Sequence, residues 1–440
     1  MLLIKLKQLS MGKPILKNLC ANFSGIGINL FCQVILVPFY IEQWGVDKYA
    51  DWIVLSSVSS VFSMSDIGLN TVISNQFSIK MAQGDEQYCR SLLTDNYFLL
   101  LIVSLFGIIG CLVFVNICDV NSLLGLSVLS SKTTRVVLLL LVIQIFVSMI
   151  GGVSNAVYRS KSLTFRSIYI DNLAKLVEGF ILLSGLLLHC RLELLAFFYV
   201  IPKIYVMVYK YYDIKKIYSF VFQINNIDIK LLKGLLFPSF SFMLFPVGNL
   251  IIQQGFTLFV NKYFGASSLV LYNTTRTLCN FIKMIMNSIN YSVWPELSIA
   301  YGKHDYVKMK RMYYSSLFLS VALSILISIF LLIAGPFIYV VWTNNEIEFD
   351  FSLMFAFLLV LFFNNFWFTG SVVLAATNKH SVLSILFVLG SCLSLLMAYI
   401  INLYFHSLIY ITYSLVVIDM ILSMYTIKTN RCLLRLNSHI

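Results

Sequence analysis

Long apolar stretches recur from one end of the chain to the other, and they limit the possible folds more than any other feature. Each approaches the length of about 20 residues that a helix needs to cross a bilayer. We predict helices at 16–41, 49–78, 92–116, 136–158, 168–189, 192–210, 234–260, 267–298, 312–334, 351–375, 381–403 and 407–427. Backbone amides in lipid must be satisfied within the segment. The chain is therefore predicted to be an all-α integral membrane protein of about twelve transmembrane helices.

Charged side chains are few and unevenly placed. They make up 11% of the 440 residues, too small a share to cover a soluble protein of this size. With the N-terminus in the cytoplasm, the outer connections hold only five basic residues, Lys48, Lys132, Arg135, Arg191 and Lys262. Most of the others lie in cytoplasmic segments, which is the usual bias of membrane proteins. The net charge of +12 thus indicates topology, and we expect no nucleic-acid partner.

Both termini and the long connection 211–233 are predicted to be cytoplasmic. Reporter fusions at Asn225, Asn344 and the C-terminus should read inside, outside and inside, because each helix reverses the side. A cytoplasmic signal from the Asn344 fusion would contradict the count of twelve helices.

The two halves of the chain resemble each other. INLFCQVILVPFYIEQWG (28–45) aligns with GNLIIQQGFTLFVNKYFG (248–265) at an offset of 220, which pairs Asn29 with Asn249 and Gly45 with Gly265. AQGDEQY (82–88) aligns with AYGKHDY (300–306) at an offset of 218. An even number of helices separates the copies, so both halves cross the membrane in the same direction. Such parallel repeats are typical of transporters, whose sites lie near the midplane between the halves.

The repeat defines the predicted domains. An N-terminal six-helix bundle covers 1–215, a cytoplasmic linker covers 216–233 and a C-terminal six-helix bundle covers 234–440. A pseudo-twofold axis would turn equivalent polar faces toward one central cavity.

Four predicted helices carry polar stripes at helical spacing. Helix 8 carries Arg276 and Lys283 on one face, and helix 2 carries serines with Asp66. The remaining candidate binding residues are amides, namely Asn280 and Asn287 in helix 8, Asn29 and Gln33 in helix 1, and Asn249 and Gln253 in helix 7.

Arg276 and Lys283 are the candidate ligand-binding cations. Insertion of a basic side chain near the bilayer centre costs about 2.5–3.5 kcal/mol on insertion scales. Such a side chain is therefore usually hydrated, paired with another residue or functional. The planar guanidinium of arginine suits phosphate, and lysine offers a movable charge. A hydrated cavity that binds an anionic substrate is one interpretation. A salt bridge from Arg276 to Asp66 is the other.

Other intramembrane acids have open roles. Asp66 could take up a proton or sodium ion and couple a gradient to transport, or it could be structural. Asp171, Lys175 and Glu178 lie on one face of helix 5, where we expect them to neutralise one another. Asp419 in helix 12 has no evident partner.

Trp367, with Asn364 and Asn365, combines an aromatic ring with amides in helix 10 and would suit a sugar. No hydrolase, phosphate-loop or zinc motif appears, and the nine cysteines form no CxxC pair. We therefore expect neither an enzyme nor a resident cofactor or metal.

Three motifs, PFYIEQWGVDKYADW, SMSDIGLN and MAQGDEQY, together with the twelve-helix repeat, resemble the polysaccharide transporter branch of the multidrug/oligosaccharidyl-lipid/polysaccharide exporter superfamily. The likeness is to O-antigen flippases of the Wzx type. It implies a MATE-like fold in a bacterial inner membrane and movement of undecaprenyl-pyrophosphate-linked oligosaccharide between leaflets. The implied partners are that lipid-linked sugar, membrane lipid and polysaccharide polymerase machinery. Arg276 and Lys283 would bind the pyrophosphate.

Three alternatives stay open. A multidrug or small-molecule antiporter of the same superfamily usually carries acids in its binding lobes, but helices 1 and 7 contain none. An O-antigen polymerase, a membrane enzyme, typically needs a large external loop that this chain lacks. The membrane subunit of an ATP-driven exporter does not fit the helix count or the repeat.

Overall fold

The computed structural model describes residues 12–63, 68–124, 126, 128–218, 229–343 and 348–436, and the described chain is almost entirely helical. The helices are α1 Lys13–Val61, α2 Leu69–Ala82, α3 Glu86–Ile117, α4 Val120–Leu124, α5 Ser131–Gly152, α6 Asn155–Ser160, α7 Thr164–Leu187, α8 Leu192–Ile217, α9 Ile229–Leu250, α10 Phe256–Gly302, α11 Tyr306–Thr343, α12 Phe351–Ala376, α13 Ser381–Phe405 and α14 Leu408–Leu436. A π-helical turn, Ile251–Gly255, joins α9 to α10.

The described chain forms two compact units. The first is Lys17–Leu236; the second is Phe237–Ile440, to which the few described residues before Lys17 also belong. Eight described segments are long and apolar enough to cross a membrane, and they coincide with predicted helices 3, 4, 6, 7, 9, 10, 11 and 12. The described parts of predicted helices 1, 2, 5 and 8 are also mostly helical, with a break before Leu69 in predicted helix 2.

Side chains define several helix starts. Asp85 precedes α3 and accepts a hydrogen bond from the backbone N–H of Tyr88 at 3.2 Å. Asp350 precedes α12 and accepts from the N–H groups of Ser352 and Leu353. These carboxylates satisfy amides that the first helical turn leaves free. The acids of the connections therefore mark helix boundaries.

Backbone conformation reproduces the repeat. Nine described residues have positive φ, and eight of them pair across the halves. The pairs are Gly45 with Gly265, Gly84 with His304, Ser162 with Asn378, and His189 with His406. The ninth, Gly68, precedes α2 at φ 72°, whereas α10 continues through the corresponding region. The halves thus share four turns, and a break at Gly68 distinguishes the first half.

The turn after α2 corrects one register of the sequence alignment. Asp85 N–H bonds to Lys80 O, and Asp305 N–H bonds to Ala300 O in the same pattern. Asp85 and Asp305 each accept from a backbone N–H three residues on. The structural offset is therefore 220 here as well, and the predicted offset of 218 is wrong. The offset of 218 aligns Gly84 with Gly302, an identity that arises by chance. In the structure the residue equivalent to Gly84 is His304.

Gly45 and Gly265 interrupt α1 and α10 with the same backbone geometry, φ 74° and ψ 168° against φ 80° and ψ 178°. This region is essentially restricted to glycine. We expect Gly265→Ala to destabilise the protein by about 1–3 kcal/mol, although no atom would lie within 4 Å of the new Cβ. Thermal unfolding of the purified protein in detergent measures the change.

Gly110→Ala is the matched control. Its Cβ would also meet nothing within 4 Å, but Gly110 lies inside α3 with helical geometry. This variant should unfold at or slightly above the wild-type temperature. Equal destabilisation by both substitutions would contradict backbone strain as the cause.

Ion pairs in the first unit join α7 to α8. Glu178 pairs with Lys203 at 2.8 Å, and Asp171 pairs with Lys210 at 2.8 Å. The closest partners of Asp171 and Glu178 are therefore outside the predicted group, although Lys175 also acts electrostatically on Glu178. The two acids reach lysines of the next helix, and Lys175 forms no ion pair with a described residue. Helical spacing alone could not reveal this choice between partners.

Close helix approaches shape the second unit. A Cβ at Gly390 in α13 would lie 2.6 Å from Ile418 Cγ2 in α14, and one at Gly248 in α9 would lie 2.6 Å from Phe387. Small residues let membrane helices pack this closely. Phe387 and Ile418 belong to a buried cluster with Trp367. This packing fixes α9, α12, α13 and α14 around the cavity described next.

Candidate functional site

A cavity with about 680 Å³ of free space, part of it open to solvent, lies within the second unit. Its polar wall comes from the α9–α10 junction and α10, and its apolar wall comes from α12, α13 and α14. Five of the eight predicted binding residues line it, namely Asn249, Gln253, Arg276, Asn280 and Lys283. A mainly apolar surface with a few fixed polar groups is typical of small-molecule sites.

Arg276 is held by neutral oxygen atoms. Its guanidinium donates to Gln253 O at 3.0 Å, to Thr257 Oγ1 at 2.9 Å and to Asn273 Oδ1 at 2.6 Å. Its carbon atom Cζ also lies 5.5 Å from the centre of the Tyr272 ring. Among the described residues no carboxylate lies within 4 Å of it, so its charge is oriented but not neutralised.

The π-helical turn explains one of these contacts. A π-helical turn departs from the regular i to i−4 hydrogen-bonding pattern of an α-helix and often marks a functional site. In this turn, Gln253 O accepts from Arg276 and also from Thr257 Oγ1 at 2.6 Å. The local irregularity of Ile251–Gly255 thus positions the arginine.

Lys283 lies seven residues beyond Arg276 on the same face of α10, roughly 10 Å along the axis. It is only partly buried and lines the cavity. It makes no hydrogen bond and no ion pair within 4 Å to any residue that the structure describes. Asp419 is the acid whose charge acts on it. The ammonium group is therefore available to a ligand.

Asp419 is the cavity residue whose role the sequence left open. It is 5% exposed on α14, and its carboxylate accepts hydrogen bonds from Trp367 Nε1 at 2.6 Å and Asn364 Nδ2 at 3.3 Å. Trp367 and Asn364 thus hold an acid, which was not expected from the sugar-binding interpretation of that segment. Asn365 is buried too, and its amide nitrogen has no hydrogen-bond partner among the described residues. An acid within an apolar helix was the available signal.

The other predicted residues lie elsewhere. Asn287 lies one turn beyond Lys283, and its buried Oδ1 accepts no hydrogen bond from the part of the chain that the structure describes. Asn29 is partly buried in α1 of the first unit, and Gln33 lies in the same helix, but its side chain is outside the description. Asp66 lies outside the described residues. The expected joint cavity of both halves, a salt bridge from Arg276 to Asp66 and ion coupling at Asp66 therefore stay predictions.

His380 adds no charge near the cavity. It precedes α13, outside the membrane-spanning segment, and its Nε2 donates to Pro238 O at 2.9 Å. Burial lowers the pKa of its imidazole to about 4, so it is neutral at physiological pH. No cluster of His, Cys, Asp or Glu suited to a metal occurs among the described residues.

Comparison with known proteins relates the chain to MATE transporters. Residues 239–400 match the MatE family model. The structure is similar to the outward-facing conformation of a multidrug resistance MATE family transporter of the MOP superfamily (TM-score 0.78, 13% identity, 98% of each chain). It is also similar to the Vibrio cholerae MATE transporter VcmN in the bent form (0.77, 14%, 97% of each chain). A third similar structure is a MOP superfamily transporter from Pyrococcus furiosus (0.77, 13%, 98% of each chain). No curated protein matches.

These similarities confirm the predicted MATE-like fold of twelve helices in two repeats, and they agree with a multi-pass membrane transporter rather than an enzyme. The predicted resemblance to Wzx-type flippases is wrong, because the matching family is MatE and the matching structures are MATE transporters. Its three motifs contain Gly45, Gly68 and Gly84, the positive-φ glycines of the first unit. They describe turns of the fold and carry no information about a sugar substrate.

Proposed function

We propose that this chain transports small organic anions, which bind in the cavity of the second unit at Arg276 and Lys283. The observation that carries the proposal is the pairing state of these cations. Arg276 is fixed by three neutral acceptors, and Lys283 has no bonded partner among the described residues. A free intramembrane cation in an open cavity is costly without an anion or water.

The lining of the cavity supports a small amphipathic molecule. Phe357, Leu361, Phe387 and Ile418 form the apolar side opposite the polar face of α10. Such a pocket, mainly apolar with a few fixed polar groups, is typical of a small-molecule site. An aromatic or aliphatic body would pack against α12, α13 and α14, with its acidic group toward α10.

A cationic drug is the competing substrate class within this fold. It would have to bind at Asp419, the acid among the described cavity residues, against the repulsion of two cations. For one protein of the same fold, a MOP superfamily transporter from Pyrococcus furiosus, reverse polarity of the binding pocket suggests a different function. In the present cavity, two cations and one acid among the described lining residues favour an anion.

Ligand binding to the purified protein tests the proposal. Thermal unfolding would be followed with two anions, Lucifer yellow and benzylpenicillin, and two cations, ethidium and tetraphenylphosphonium. A ligand that binds only the folded state stabilises it by about 2.7 kcal/mol at 100 times its Kd. At least one anion should raise the unfolding temperature, and Arg276→Gln with Lys283→Gln should remove the effect. Stabilisation by cations alone, or by none of the four, would overturn the proposal.

A further inference from the structure

Asp419 is buried beside the proposed anion site, yet binding of an anion does not explain its presence. Its carboxylate is oriented by Trp367 and Asn364 of α12. Neutral donors can hold an ionised or a protonated carboxyl group, so these bonds do not fix its charge. A carboxyl group within a membrane is energetically costly, so we expect this one to have a function.

The charged surroundings of Asp419 are simple. Helices α12 and α13, which pack most extensively against α14, contain no Asp, Glu, Lys, Arg or His. Their titratable groups, Cys392, Tyr399 and Tyr404, do not line the cavity. The α9–α10 junction contributes the neutral amides of Asn249 and Gln253. The basic residues of α11 are confined to its first two turns.

Helix α10 supplies the remaining groups. Lys283 is the cation that acts on Asp419, while Arg276 and Cys279 line the same cavity. Lys283 and Asp419 both line the cavity, and they form no ion pair within 4 Å of each other. A ligand in the cavity can therefore approach both charges.

An anion that binds Lys283 changes the balance at Asp419. It engages the positive charge that favours the ionised carboxylate, and it adds a negative charge nearby. Both changes favour the protonated form, and the weakly polar surroundings strengthen them.

We propose that Asp419 takes up a proton when an anion binds at Lys283, so that the anion and the proton are transported together. This inference rests on the proposed function. One proton passes from bulk water to an Asp419 carboxylate oxygen, and no other bond is made or broken. The proton offsets one negative charge of the bound anion. A cation that bound at Asp419 would instead displace a proton.

Proton exchange on ligand binding tests the inference. Lucifer yellow or benzylpenicillin would be added to the purified protein in weakly buffered detergent solution at neutral pH, where both are fully ionised. Any proton taken up must then go to the protein. The wild type should take up protons when the anion binds, with one proton for each anion as the upper limit, and infrared difference spectra should show an increase in the protonated carboxyl band.

Asp419→Asn should abolish the uptake and the infrared band. It should also bind the anion more tightly, because a repelling charge is removed. Glu296→Gln is the matched control, since Glu296 is equally buried in the same unit but does not line the cavity. It should keep the uptake.

Each other result overturns the inference. Anion binding without proton uptake by the wild type, or with proton release, excludes joint transport and leaves the anion site standing. Uptake that persists in Asp419→Asn assigns the proton to another group. If neither anion binds the wild type, the proposed function fails, and this inference fails with it. Should Asp419→Asn not fold, the proton count and the infrared band of the wild type still decide.

Discussion

Lys283→Glu is expected to weaken anion binding roughly 100-fold or more, the largest effect on function predicted for a single substitution. The change removes a charge-assisted contact and places a negative charge where the acidic group of the ligand would lie. It also brings a second acid toward Asp419. Titration of the unfolding temperature with the anion that stabilises the wild type most measures the loss of affinity. Lys283→Arg should bind more tightly than Lys283→Glu, because the charge persists.

Lys262→Glu makes the same change of charge at an exposed residue of the same helix that does not line the cavity. Its affinity for the anion should stay close to that of the wild type. A comparable loss in both variants would show that the net charge of the protein matters and would count against a specific site. Unfolding without ligand separates loss of affinity from loss of folding.

Glu178→Gln is expected to have the largest effect on stability, a loss of about 3–5 kcal/mol. Glu178 is buried and pairs with Lys203 at 2.8 Å. Removal of one partner leaves the other charge without compensation in a weakly polar environment. Thermal unfolding in detergent should show a fall of many degrees. Lys175→Gln, at an exposed lysine of the same helix without an ion pair to the described chain, should change little.

The double variant Glu178→Gln with Lys203→Met separates the pair from its single members. Both charges are then removed, so we expect it to be more stable than Glu178→Gln alone. A double variant as unstable as the sum of its two single substitutions would indicate that the ion pair contributes nothing of its own.

The sequence was sufficient for the features that depend on short-range periodicity. Apolar length predicted the helices, and the shared pattern around Gly45 and Gly265 predicted the repeat. The spacing of Arg276, Asn280 and Lys283 predicted one polar face, and these residues line one cavity. Each of these features is determined within a few turns of helix, where sequence distance and spatial distance agree.

Features that depend on the choice between distant partners could not be predicted. Asp419 bonds to Trp367 and Asn364, which lie 52 and 55 residues away in another helix. Glu178 likewise pairs with Lys203 and not with the nearer Lys175. Helix packing determines which residues pair, and the sequence pattern of a single helix carries no information about that packing.

The flippase resemblance failed for a related reason. Its motifs are centred on turn glycines, and a turn that requires positive φ selects glycine whatever the protein transports. The residues that we propose to bind the anion and the proton, Arg276, Lys283 and Asp419, lie outside all three motifs.

Transport by proteoliposomes tests directly whether the protein transports organic anions bound at Arg276 and Lys283. Vesicles that contain the wild type or Arg276→Gln with Lys283→Gln would be loaded with the anion that stabilises the protein most, and in parallel with ethidium. The wild type should transport the anion and not ethidium. Anion transport by the double variant should fall to the rate of protein-free vesicles. Movement of ethidium without the anion, or equal anion transport by the double variant, would contradict it.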